Sequence, residues 1–284
     1  MVSKIILELR KIGYIILANF RVEALFGLGI IIRLIDIISG VAIYYFITFM
    51  FHGGEKSIEQ YGTNVISYIL LGMTMSPILL QGFIGIYNAI ASAYADRDLE
   101  RVMMTPTSIS TLIASRMVNY FILSITTSIL YLVVGITVFR IELNSGSLLY
   151  AVIVFIMGVI STSGLGMLTT QIFFHTMTGR GSPNHIIGFS VVFANAFTGV
   201  YFPVEVLPVP LRFISFLLPQ THAIRASRLI LAGHGLNSVS SDLLYMFVFF
   251  VIATPIGAYL IKKGLEKIRK EGHVPRTGTF WLFG

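Results

Sequence analysis

The chain alternates between long apolar runs and short segments that carry charge or turn-forming residues. The apolar runs occupy residues 27–51, 62–93, 117–139, 148–174, 186–202 and 243–261. A helix that crosses a bilayer uses about 20 predominantly apolar residues, so this pattern predicts six transmembrane helices. The run 62–93 exceeds one straight crossing, which calls for tilt, a kink at Pro77, or extension past the bilayer. Residues 3–22 follow a different pattern. There Ile5, Ile6, Leu9, Ile12 and Ile16 recur at helical spacing with charges between them, which predicts an amphipathic helix lying in the membrane interface.

The stretch 203–235 is apolar but irregular. Pro203, Pro208, Pro210 and Pro219 each remove a backbone donor, so no single regular helix can run through it. A loop exposed to water would be more polar. The expectation is a re-entrant helical hairpin between the fifth and sixth spans, its free backbone groups buried against protein.

Composition agrees with a membrane fold. Of the 284 residues, 55% are hydrophobic and only 12% are charged, against about 25% charged in soluble domains. The mean hydropathy is +0.84. The predicted fold class is therefore an all-α integral membrane protein forming one domain over 1–284. A net charge of +7 would suggest nucleic acid in a soluble protein, but here the basic residues serve as topology markers and contacts to lipid headgroups. With no cysteine, disulfides, thiolate metal sites and cysteine nucleophiles are excluded.

Charge also sets an expected orientation. Fourteen of the 20 Lys and Arg fall in the N-terminal segment, the 94–116 loop, the 175–185 loop and the segment after 261. Lys56, Arg140, Arg212, Arg225 and Arg228 fall on the other side, and Arg33 lies inside the first span. The positive-inside rule then makes both termini cytoplasmic, which six spans satisfy.

Candidate chemistry is sparse. No Gly-Lys dipeptide exists, so no P-loop can form; His-Glu-x-x-His and Gly-x-Ser-x-Gly are missing as well. The six histidines are scattered singly, and no metal site is expected. Arg33 and Asp36 share a helix face in the first span. They either line a polar pathway or neutralise each other near the cytoplasmic end.

Two segments stand out. The loop 94–116 mixes charge at Asp96, Arg97, Asp98, Glu100 and Arg101, turns apolar at Val102, Met103 and Met104, and breaks at Thr105-Pro106. A short amphipathic helix over 94–107 should end there, with Ser108 or Ser110 capping the next one. The second segment reads Thr198-Gly199-Val200-Tyr201-Phe202-Pro203-Val204-Glu205-x-Leu207-Pro208. It continues to Leu218-Pro219-Gln220-Thr221-His222-Ala223-Ile224-x-Ala226-x-Arg228.

Together, in this order, the two segments resemble those of the permease subunits of type 2 ABC exporters, and the likeness covers essentially the whole chain. The resemblance implies a transport subunit with no catalytic residue and no cofactor of its own, ATP and Mg being held by a separate ABC ATP-binding subunit. A second permease copy, identical or related, would complete a dimer in the plasma membrane, with membrane lipids as the remaining partners and no nucleic acid. Arg97, Glu100, Arg101, Met103, Met104, Thr105 and Pro106 would couple to the ATPase. Pro203, Glu205, Pro219, Gln220, His222, Arg225 and Arg228 would form the exit segment. Arg228 would pair with Glu205 or with helix-end carbonyls. Gln220, His222 and Arg225 depart from residues common in the family and would touch substrate, which could be a drug, a lipid or a glycan. The competing readings are an ion-coupled carrier or channel, which would need several in-membrane carboxylates, and a lipid-modifying enzyme, which would need clustered Asp, Glu or His.

Overall fold

A computed structural model describes residues 10–14, 17, 27–50, 65–96, 98–105, 107–140, 145–177 and 183–271. These residues are almost entirely helical, with no strand among them, as the apolar runs predict. The helices are α1 (Gly27–Met50), α2 (Val65–Ala95), α3 (Asp98–Met103), α4 (Ile109–Thr137), α5 (Leu148–Met177), α6 (Pro183–Phe197), α7 (Val209–Phe216), α8 (Pro219–Leu231) and α9 (Ser240–Glu271). Four of them, α2, α4, α5 and α9, are long and apolar enough to cross a membrane. Residues 10–14 are helical too, within the predicted surface segment.

Several helices run past their apolar windows. α4 begins at Ile109 rather than 117 because Ser108 caps it: the Ser108 hydroxyl accepts the Thr111 amide at 3.1 Å. α9 continues to Glu271 because Lys and Glu are good helix formers beyond the apolar stretch. In the other direction, α6 has only 15 residues, about 22 Å at 1.5 Å per residue, which is less than a bilayer's thickness of about 30 Å. The chain turns at Thr198–Val200 well before Pro203.

α2 is the central post. Of its most apolar stretch, 72% is buried, against 11% in α4 and 17% in α9. It packs along α4 on one side and α5 on the other, and α5 in turn packs along α9. The exposed faces of α4 and α9 carry Ile125, Ile129, Val133, Val248, Val251 and Ile252, which suit contact with acyl chains. The main core gathers Leu79 of α2, Val154 of α5, Ala223, Ile224, Ala226 and Ile230 of α8, and Met246 of α9. The short helix α8 is therefore a core element.

Candidate functional site

The segment from Thr198 to Asp242 is built around two buried side chains. Arg228, on α8, is 3% exposed. Its Nη1 donates to the Gly199 carbonyl at 2.6 Å, and its Nη2 donates to Val200 O at 2.7 Å and Tyr68 O at 2.9 Å. The guanidinium also lies over the Tyr68 ring, 3.6 Å from its centre. One planar fork thus satisfies the carbonyls that follow α6 and joins them to α2 and α8. Two glycines make room for it. Gly199 has φ of +78°, a conformation that side-chain-bearing residues rarely adopt. At Gly72, a Cβ would stand 2.1 Å from Arg228 Nη2 and 2.2 Å from Val200 O.

The second buried group is Asp242, on the first turn of α9 and 2% exposed. Its Oδ1 lies 2.6 Å from His222 Nδ1, and the other ring nitrogen of His222 lies 2.9 Å from the Phe216 carbonyl. The His222 ring stacks on Tyr245, centres 4.1 Å apart, and the Tyr245 hydroxyl donates to Leu217 O at 2.9 Å. Two side chains therefore fasten the α7–α8 turn to α9. Arg225 Nη1 sits 3.8 Å from the same Asp242 oxygen and remains partly exposed.

The other predicted exit residues lie around these two anchors. Pro219 opens α8 at a position where a missing N–H costs nothing. Pro203 is buried and precedes a single 3-10 turn, Val204–Val206, on which Glu205 is exposed. Arg212 donates to the carbonyls of Glu205 and Leu207, which fixes α7 to that turn. Gln220 is 2% exposed, and neither end of its amide has a partner. It borders a small cavity shared with Ser76 of α2 and with Asn195 and Thr198 of the α6 end. Ser76 donates to the Asn195 side-chain oxygen there at 3.0 Å.

At the far end of α2 the charged loop is short and held. α3 spans Asp98–Met103, and Arg116 of α4 donates to both Asp96, at 2.9 Å, and Asp98. Arg101 is 77% exposed and reaches back to Asp98 at 3.1 Å. Met104, 90% exposed, stands at the tip, and Thr105 closes the turn by donating to Val102 O at 2.9 Å. Arg97 and Pro106 lie outside the described residues, and only the helical backbone is described for Glu100 and Met103. The same holds for Arg33, while its proposed partner Asp36 is exposed on α1.

Asp242 and Arg116 are the site residues that the sequence did not bring forward. Asp242 looks like an ordinary acidic residue in the first turn of a helix. Arg116 looks like the basic flank of a span. No group of three or more His, Asp or Glu suited to a metal occurs among the described residues.

Residues 55–259 match the family described as ABC-2 family transporter protein, a stretch that includes both the charged loop and the α7–α8 pair. No curated protein matches the chain. Because that match covers most of the chain and the helices are those of a multi-pass membrane protein, the chain belongs to the ABC-2 transporter family as a membrane permease component.

Proposed function

We propose that this permease is the membrane half of an exporter that moves a lipophilic or lipid-linked substrate out of the cytoplasm, driven by a separate ATP-binding subunit. The observation that carries the reading is α3. A helix of six residues, braced on Arg116 and presenting Arg101 and Met104 outward, interrupts the connection between two long spans. Its inner side is held by the brace and by Val102, which packs on Ala93 and Leu112, and that leaves Arg101 and Met104 for a partner surface. Closure of two ATP-bound subunits would press on α3 and tilt α2 and α4 together, which alternates access across a permease dimer. Only a difference in affinity of the closed ATPase for the two permease states can drive that change.

In this reading six spans cross the plasma membrane, the fifth completed by the residues that follow the 15-residue α6 up to 202, and both termini are cytoplasmic. The pair α7–α8 enters the outer half of the bilayer from outside without crossing it. Its helices are about 12 and 20 Å long, too short to span. Arg228 and the His222–Asp242 pair hold it against α2, α6 and α9, and Arg225 and Glu205, which border one small cavity, face the exit. A second copy, identical or related, would complete the dimer. The test is functional coupling. The permease co-purified with its ATPase should lose transport-linked ATP hydrolysis when Glu100→Arg or Arg101→Glu is introduced, with its melting temperature unchanged. Full coupling in both variants would overturn the assignment of α3.

A further inference from the structure

An open groove of about 900 Å³ lies beside α3, between the start of α4 and the last turns of α9. That volume falls in the range of small-molecule sites. Its floor is apolar, made by Ile86, Ile113, Met117 and Ile261, all within one packed cluster, and the two-methionine lining with Met167 adapts readily to a flexible chain. Its rim is polar. Thr107 and Ser110 contribute hydroxyls at the amide end of α4, and α9 contributes Lys262 and Glu266. Those two charges are one helical turn apart on one face, both exposed, and they form no ion pair with each other or with any other described residue. A cation and an anion at neighbouring positions, without an ion-pair partner among the described residues, stand above an apolar trough and match a zwitterionic amphiphile.

We propose that this groove binds a resident phospholipid bearing a phosphate and a primary ammonium, a phosphatidylethanolamine, with one acyl chain along the floor. The phosphate sits on Lys262 and the hydroxyls at the amide end of α4, and the ammonium donates to Glu266. A choline headgroup has no N–H to give Glu266, and a glycerol headgroup offers it no cation. Val102 of α3 and Thr105 border the same groove, so the bound lipid props the coupling segment against α9.

This inference uses the proposed cytoplasmic location of α3 but not its role in coupling, and it is tested on the purified permease alone. Native mass spectrometry would measure lipid retention after equilibration with phosphatidylethanolamine, phosphatidylcholine and phosphatidylglycerol of identical acyl chains. The wild type should retain phosphatidylethanolamine preferentially. Lys262→Gln should lower its retention about fivefold, the equivalent of one basic contact to a headgroup. Glu266→Gln should erase the preference over phosphatidylcholine, and Ile113→Trp, which fills the floor, should reduce all three. Both charged residues are exposed, so their variants fold even if Ile113→Trp does not. Equal retention of the three headgroups, a preference for phosphatidylglycerol, undiminished retention in Lys262→Gln, or an unchanged preference over phosphatidylcholine in Glu266→Gln would overturn the proposal.

Discussion

Arg228 carries more of the α7–α8 attachment than any other residue, since three carbonyls on two separate segments depend on its fork. Arg228→Met keeps the volume but leaves the Val200 carbonyl without this donor and the Gly199 carbonyl with only the longer bond from the Tyr68 hydroxyl, each lost donor costing about 1–3 kcal/mol. The variant should melt at least about 5 °C lower in detergent, measured by the fluorescence of dye binding to exposed core. Gly72→Ala should do the same at the same junction, because its new methyl meets both the guanidinium and the Val200 carbonyl that the guanidinium holds. The two changes together should therefore cost less than their sum. A fully additive double variant would show that Gly72 and Arg228 act separately. His222 works differently. His222→Phe preserves the stack on Tyr245 while removing the polar links to Asp242 and Phe216 O. It should speed hydrogen exchange in 216–222 and leave α2 protected, as a local release would.

At the scale of elements, the helices were legible in the sequence and their ends were not. Apolar runs mark where a chain can sit in hydrocarbon, but a helix continues wherever its backbone bonds are satisfied. The Ser108 cap starts α4 eight residues before the apolar run, and the Lys- and Glu-rich tail of α9 adds ten after it. Proline density marked 203–235 as irregular, but the chain already turns at Thr198–Val200, and the start of α8 at Pro219 was not assigned from the sequence. The partners of the site residues were less accessible to reading. Asp242 and Tyr68 reach Arg225 and Arg228 only through packing, since they lie on α9 and α2, far away in sequence. The brace of α3 makes an element-scale prediction. Arg116→Ala frees Asp96 and leaves Asp98 with Arg101 alone, so ATPase capture by the permease should fall several-fold while its melting temperature moves by less than about 2 °C. A stable permease with undiminished capture would contradict the role given to the brace. For the segment 3–22, spin labels should report one shallow immersion depth along its length, and a profile that crosses the bilayer would add a span.

For the whole molecule, the proposed function requires α3 and α7–α8 to lie on opposite sides of the membrane, with α2 linking them. That post is the most enclosed of the four long apolar helices, and it carries the Arg228 contact near one end and α3 just past the other. On the proposed reading, a push on α3 would reach the exit segment through α2. Because the chain has no cysteine, single cysteines can report sidedness cleanly. Pro208 and His234 are exposed, and cysteines there should react with an impermeant maleimide applied outside intact cells. The most direct test of the central claim is a photo-crosslinker at Met104, the 90% exposed tip beside α3. Illuminated in membranes that contain the full transporter, it should attach to a protein with a P-loop and an ABC signature, and the yield should change between nucleotide-free and ATP-trapped states. An adduct only with lipid, or one with a protein lacking a nucleotide-binding fold, would contradict the claim that a separate ATPase drives this permease through α3.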